Sequence, residues 1–135
     1  MNRVLLIEQD RDLVNAMSLR CVEHGIALRI AETVCEGVRY LLHAPAAVVM
    51  IDAELLRLSG LRQAALFETV APGVPVVVLA GPSVSVEERV RYEVQGFPVF
   101  AKPIDVIEVL GKIEVATTLR PARPGAAAAI EAACA

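Results

Sequence analysis

The segment AAVVMIDAELLRLSGL, residues 46–61, decides the fold. Five apolar residues, 47–51, run without a break and stop at one carboxylate, Asp52. A short continuous apolar run rich in β-branched residues is typical of a strand that is buried on both faces. The segment therefore predicts an interior strand that carries an acidic side chain at its carboxyl end.

Four more apolar runs, at residues 4–7, 27–31, 74–80 and 99–101, alternate with segments of helical periodicity. Thr33 with Glu36 and Ser85 with Glu88 have the spacing of capping boxes, which predicts helix starts at those points. Asp105 is the expected cap of a fifth helix. Strands that alternate with helices indicate an α/β protein with a parallel sheet covered on both faces. We predict a doubly wound five-stranded sheet in the flavodoxin-like order 2-1-3-4-5, with five helices.

The apolar positions also predict which side of each late helix is covered. The fourth helix has one apolar face, formed by Val86, Val90 and Val94. Arg89, Arg91 and Tyr92 are expected to be exposed on the surface of the same helix. In the fifth helix the spacing of Ile107, Leu110 and Ile113 predicts the buried face.

Length and composition indicate one domain without a nucleic-acid-binding or membrane-spanning part. The chain has 135 residues, a net charge of −3, scattered basic residues and only three Phe and two Tyr, so we expect no nucleic-acid contact. No segment has the roughly 20 apolar residues that cross a bilayer, and no signal peptide is evident. We predict a cytoplasmic protein folded over residues 1–118, with a flexible Pro- and Ala-rich tail over 119–135.

The three cysteines do not indicate a disulfide framework or a zinc site. They are odd in number and show no C-x-x-C spacing, which favours a reducing compartment. Cys21 and Cys35 are expected to serve as small apolar fillers in helices.

Charged side chains follow three of the predicted strands. Glu8 follows the first, Asp52 ends the third and Lys102 follows the fifth. Strands 1 and 3 are neighbours in the predicted order, so their two carboxylates should converge. Two adjacent carboxylates repel each other unless a cation joins them, and either a lysine or a divalent ion can do so. An all-oxygen ligand set favours Mg²⁺.

Motifs of other α/β classes are missing from the chain. The first strand–helix loop reads EQDRDLV, without the glycines of a dinucleotide or phosphate loop. G-x-S-x-G, the nucleophile motif of α/β-hydrolases, does not occur either.

The chain resembles the CheY-like receiver domains of two-component response regulators over residues 3–118. The resemblance depends on VLLIEQD at the first strand, VVMIDAELLRLSGL around Asp52, VPVVVLAG at the fourth strand and VFAKPI at the fifth, with Gly60 eight residues after Asp52. It implies that Asp52 accepts a phosphoryl group from a histidine kinase or phosphotransfer protein, and that Lys102 contacts the phosphoryl oxygens. It further implies Mg²⁺ held by Glu8, Asp52 and the backbone carbonyl of Glu54, and a Lys102–Pro103 bond that is often cis.

Three positions depart from the family pattern. Gln9 stands where relatives have a second acid, which leaves an amide oxygen as a weaker metal ligand and lowers the expected affinity. Ala80 replaces the Ser or Thr that hydrogen-bonds the phosphoryl group. Val99 replaces the aromatic residue that turns inward on activation, and Phe100, one position on, should face the other side of the sheet.

Two functions therefore stay open on the sequence. The first is a phosphorelay receiver with an atypical switch, which at most phosphorylates and dephosphorylates itself. The second is a pseudo-receiver that binds protein partners without phosphorylation. In either case the resemblance points to the helix 4–strand 5–helix 5 face as the partner surface, which in relatives also supports homodimers.

Overall fold

The computed structural model describes residues 3–56, 60–105 and 107–112. The predicted tail over 119–135 and the predicted contact of Ile113 lie outside these residues. The elements in chain order are β1 Arg3–Ile7, α1 Arg11–Glu23, β2 Ala27–Ala31, α2 Val34–His43, β3 Val48–Asp52, a 3₁₀ turn Ala53–Leu56, α3 Gly60–Val70, β4 Val76–Ala80, α4 Val86–Val94, β5 Val99–Ala101 and helix α5 at 107–112.

The five strands form one parallel sheet in the order β2-β1-β3-β4-β5, which confirms the predicted topology. Strand β3 lies at the centre, between β1 and β4, and all five of its residues are buried. The register pairs Ile7 with Ile51 and Asp52 with Leu79, so the carboxyl ends of β1 and β3 end at nearly the same level. A residue that follows β1 is therefore close to the last residue of β3.

Helix starts follow the polar residues that the sequence indicated. Asp10, Thr33, Ser85 and Asp105 each accept a hydrogen bond from a backbone N–H of the first helical turn. These bonds satisfy donors that have no partner inside the helix. The donor N–H groups belong to Asp12 and Leu13, to Glu36, to Glu88, and to Ile107 and Glu108.

The core has two layers because strand side chains alternate between the faces of the sheet. One layer packs β1, β3 and β4 residues against α2, α3 and α4, and it includes the buried aromatic residues Phe67, Tyr92 and Phe97. The other layer packs against α1 and α5, through Met17, Cys21 and Leu110 among others. Both faces of the sheet are therefore covered, as a parallel sheet requires.

The prediction for α4 was wrong in its orientation. Tyr92 is 6% exposed and packs in the core, whereas Val86, Val90 and Val94 are 74%, 49% and 76% exposed. Tyr92 lies about 200° around the helix from the neighbouring valines, so both cannot face the sheet. One aromatic ring covers more apolar area than a valine, and the helix turns that ring inward.

Two smaller predictions about burial hold only in part. In α5, Leu110 is buried as predicted and Val109 is buried beside it, but Ile107 is exposed. Cys21 is a buried filler as predicted, but Cys35 is exposed on α2. Within the residues that the structure describes, no helix is long and apolar enough to span a membrane.

Candidate functional site

The candidate site lies where β1, β3 and β5 end. Glu8 directly follows β1, Asp52 is the last residue of β3, and Lys102 directly follows β5. Hydrogen bonds to neighbouring strands hold the backbone of Glu8 and Lys102 in place. The Glu8 N–H donates to the Ala31 carbonyl at 3.0 Å, and the Lys102 N–H donates to the Ala80 carbonyl at 2.8 Å. The ends of three strands therefore deliver two acids and one base to one place.

Lys102 joins the two carboxylates. Its Nζ lies 3.0 Å from Glu8 Oε2 and 3.5 Å from Asp52 Oδ2. Both acids are almost fully buried, with 1% of Glu8 and 5% of Asp52 exposed. The convergence that the sequence predicted is present, and the cation that joins the acids is a side chain of the chain itself. The Lys102–Pro103 peptide bond is cis.

Backbone amides fix the other carboxylate oxygens. Glu8 Oε1 accepts from the N–H groups of Gln9 and Asp10, both at 3.1 Å, and Asp52 Oδ1 accepts from the Glu54 N–H at 3.1 Å. Glu8 Oε2 is buried and has no directed hydrogen bond within the described chain, although it is ion-paired with Lys102. This oxygen thus retains capacity for one more electropositive partner.

The pKa values of the pair reflect burial and mutual attraction. Burial raises the pKa of the Glu8 carboxyl, and its contacts with Lys102 and the Asp10 N–H offset this only in part. Burial also disfavours the charged form of Lys102, but the adjacent Glu8 and Asp52 carboxylates outweigh it and raise the pKa of the ammonium. Lys102 therefore stays positively charged throughout the physiological range.

The side chains of Gln9 and Asp10 make hydrogen bonds that stabilise the loop between β1 and α1 and the start of α1. Gln9 Nε2 donates to the Glu32 carbonyl at 2.9 Å, which ties the β1–α1 loop to the end of β2. The Asp10 side chain caps α1. Both residues line the site, but each has another partner.

The three charged residues open into a cavity of about 590 Å³, whose other lining residues are Gln9, Asp10, Glu54 and Leu55. No cluster of three or more His, Cys, Asp or Glu side chains in the described part of the chain has the arrangement of a metal site. Mg²⁺, however, is usually held by one or two carboxylates and keeps several waters. Glu8 Oε2, which can take one partner besides Lys102, and the oxygens of Asp52 match that requirement, so the donor set fits Mg²⁺.

Ala80 and Val99, the positions that the resemblance aligns with the activation switch, carry no polar or aromatic group. Ala80 ends β4 and is buried beside Ala101 of β5, and Val99 packs partly buried against the layer that contains Tyr92. Phe100 packs in the opposite layer, as strand alternation predicted.

A side-chain hydrogen bond between Ser83 and Glu54, which the sequence did not predict, follows closely after Ala80 in the chain. Ser83 Oγ donates to Glu54 Oε1 at 2.8 Å, which links the β4–α4 loop to the turn after β3. The sequence had suggested a role for Glu54 only through its backbone carbonyl. A serine in a polar loop gives no pattern from which this side-chain contact could be predicted.

The two described leucines after Asp52 both pack against the core. Leu56 is buried in the same layer as Phe67 of α3, and the half-buried Leu55 packs against that layer and also lines the cavity. Leu55 therefore belongs both to the core and to the wall of the site.

Several solved structures of similar fold are described as receiver domains. The chain superposes on a CheY-like response regulator receiver domain from Methanospirillum hungatei with a TM-score of 0.76 and 20% identity, over 87% of this chain and 94% of the other. It superposes on the beryllofluoride-activated NtrC4 receiver domain dimer with a TM-score of 0.77 and 22% identity, over 87% and 98% of the two chains. The chain therefore has the fold of CheY-like receiver domains.

Sequence comparison finds similarity to a bacterial transcriptional regulatory protein. The chain is 30% identical over 103 residues to the transcriptional regulatory protein GlrR of Escherichia coli, which covers 76% of this chain and 23% of GlrR. The chain thus matches about a quarter of the length of that relative. No protein-family model matches the chain.

Proposed function

We propose that the chain is a receiver-type signalling domain of a two-component phosphorelay, in which Asp52 accepts a phosphoryl group from a phosphohistidine of a histidine kinase or phosphotransfer protein. The observation that carries this proposal is the position of Asp52. It ends the central strand, lines an open cavity, and has one oxygen 3.5 Å from the Lys102 ammonium.

The transfer requires one nucleophile and one group that stabilises charge. A carboxylate oxygen of Asp52 attacks phosphorus, the P–N bond breaks, and its electron pair stays on the protonated imidazole, which leaves neutral. The Glu54 N–H holds Asp52 Oδ1 in place at 3.1 Å. Lys102, which stays charged because of its raised pKa, is close enough to contact the transferred phosphoryl oxygens. Such a chain is a phosphoacceptor and not a classical enzyme.

Mg²⁺ would be held by Glu8, Asp52 and the backbone carbonyl of Glu54, and when bound it would neutralise charge on the phosphoryl oxygens. Glu8 Oε2, whose one close partner among the described residues is the Lys102 ammonium, has a further lone pair that supports this assignment. Gln9 is a poorer ligand than an acid because it is neutral, and its amide nitrogen is already bonded to the Glu32 carbonyl. We therefore expect weaker metal binding than two acids after β1 would give.

The signal would leave the site by an atypical route. Ala80 has no hydroxyl to donate to a phosphoryl oxygen, and Val99 has no ring to turn inward. The hydroxyl of Ser83 lies on the loop between β4 and α4, three residues after Ala80, but it donates a hydrogen bond to the Glu54 side chain. A rearrangement of the β4–α4 loop on phosphorylation would therefore have to involve that contact.

A second candidate is a pseudo-receiver that binds proteins without phosphorylation. The exposed stripe of Val86, Val90 and Val94 on α4 favours it, because this apolar surface faces outward in the unphosphorylated chain. The partner would dock on the α4–β5–α5 face. A second copy of the chain is one such partner, and the NtrC4 receiver domain of similar fold is described as a dimer.

An amide NMR titration of the full chain with Mg²⁺ and then beryllofluoride, which mimics an aspartyl phosphate, separates the two functions. Shifts around Glu8, Asp52 and Lys102 that need both reagents, and that vanish in the matched variant Asp52→Asn, would support the phosphoacceptor. The absence of any response at millimolar Mg²⁺ would reject it and leave the interaction module. Sedimentation measures the oligomeric state of the wild type and of Val90→Asp, and a dimer that dissociates in the variant would support docking of a second copy on the α4 face.

A further inference from the structure

A second groove lies at the opposite edge of the sheet from Asp52. It has a volume of about 440 Å³, within the usual range for small-molecule sites. It lies between the starts of β1 and β2 and the end of α2, and its lining consists of Arg3, Leu5, Ala27, Leu28, Arg29, Tyr40, Leu41, His43, Ala44 and Ala46. Nothing in the proposed phosphorelay uses these residues.

The floor of the groove is apolar and its open volume comes from small side chains. Leu5 and Leu41 are buried beneath it, whereas the side chain of Leu28, which also borders the groove, packs in the opposite layer of the core. Ala27 and Ala46 fill little of the space above them, so a flat apolar group would meet carbon atoms on the floor. Burial of such a group is favourable at roughly 25 cal/mol per Å² of apolar surface removed from water.

One wall is an aromatic ring held in place from two sides. The Tyr40 hydroxyl donates to Glu36 Oε1 at 2.8 Å, and the Arg29 guanidinium lies 4.4 Å from the centre of the Tyr40 ring. A ring fixed in this way loses little freedom when a second flat group packs beside it.

The charge of the lining has one sign. Arg3 and Arg29 are basic, His43 is the third nitrogen-bearing side chain, and the described lining includes no carboxylate. Glu36 stands outside the groove and offsets part of the charge of Arg29, and the carbonyl end of α2 contributes a partial negative charge. Two full positive charges exceed these opposing effects, although the chain as a whole carries −3.

We propose that this groove binds a small aromatic anion, a flat ring that bears one carboxylate, sulfonate or phosphate. The ring would lie on the leucine floor beside Tyr40, and the anionic group would reach Arg3 and Arg29. The two arginines select an anion over a neutral or cationic ligand, and the apolar floor and the fixed aromatic wall select a flat ring.

The test is an amide NMR titration of the full chain with 1-naphthalenesulfonate, with 1-naphthol as the neutral match. We expect saturable shifts around Ala27, Leu28 and Tyr40, with binding at least about tenfold weaker for 1-naphthol. Loss of one good charge-assisted contact corresponds to about that factor. Arg29→Gln should weaken sulfonate binding to a similar degree, and Arg29→Lys should restore most of it.

Controls separate the groove from other apolar surfaces. Arg20→Gln, a surface change on α1, should leave binding unchanged, and Ala27→Ile should block the groove without removing a charge. Arg3→Gln tests the same site if Arg29→Gln perturbs Tyr40. Equal binding of the sulfonate and the naphthol, wild-type affinity in both arginine variants, or shifts centred on Val90 would overturn the proposal.

Discussion

Replacement of Lys102 by methionine is the sharpest perturbation of the candidate site. Methionine keeps much of the side-chain volume but removes the only cation among the described residues that line the cavity. At 3.0 and 3.5 Å, each ion pair corresponds to about 5 kcal/mol of attraction at an effective dielectric of about 20, before the desolvation of the ammonium is subtracted. Removal of one partner from a buried pair usually costs about 3–5 kcal/mol. Because Lys102 keeps 18% of its side chain exposed, we expect about 2–4 kcal/mol at pH 7.

The pH dependence of that loss identifies its cause. Without Lys102 the two carboxylates face each other, so the pKa of Glu8, which burial already raises, should rise further. The loss of stability should therefore be smaller at pH 5 than at pH 7, and the double variant Glu8→Gln/Lys102→Met should recover most of it. Urea unfolding followed by circular dichroism at both pH values measures these differences.

A matched control is Lys112→Met, since Lys112 is 65% exposed and pairs with Glu108 on the surface of α5. We expect a change within about 0.5 kcal/mol there. Unfolding of Lys102→Met at the wild-type urea concentration, or an equal loss of stability at pH 5 and pH 7, would show that the ion pairs do not stabilise the fold in this way.

Three further predictions concern single positions. Burial raises the pKa of Glu8 in the folded state above its unfolded value, so the ionised form of Glu8 opposes folding. This penalty fades as the pH falls through the raised pKa. In urea titrations, Glu8→Gln should therefore flatten the stability–pH curve over that pH range. Gly37→Ala would place a Cβ 2.9 Å from Ile7 Cγ1 in the closed core and should cost about 1–3 kcal/mol in urea unfolding, whereas Gly111→Ala meets open space and should not destabilise. Asp10→Ala removes the cap of α1 and should cost about 1 kcal/mol, seen as a lower thermal midpoint.

Periodicity and capping residues predicted the strands, their order and the starts of the helices. These features depend on local sequence: Thr33 and Ser85 cap their helices through their own side chains, and an uninterrupted apolar run such as 47–51 suits only an interior strand. The approach of Glu8 to Asp52 followed from the strand order, because strands 1 and 3 are neighbours. The order alone did not place Lys102 beside them, since β4 lies between β3 and β5. The resemblance to receiver domains supplied the proposed roles of these residues, which spacing could not provide.

The orientation of α4 could not be predicted in the same way. Its three valines and its single tyrosine compete for one contact surface, and the outcome depends on the space left beside Phe97 and β5. The Ser83–Glu54 bond and the Gln9–Glu32 bond join loops that are 29 and 23 residues apart in the chain, where no local pattern applies. Tertiary packing decides these details.

The three-residue strand β5 has a consequence for how the molecule assembles. Among the described strands it pairs with β4 alone, yet it brings Lys102 to the two acids that β1 and β3 place side by side. Without β5, Glu8 and Asp52 would have no lysine between them, and two buried carboxylates would repel each other at the edge of the sheet. Docking of β5 and neutralisation of the pocket are therefore coupled. The same coupling opposes fraying of the short edge strand, because its detachment would expose two buried negative charges to each other.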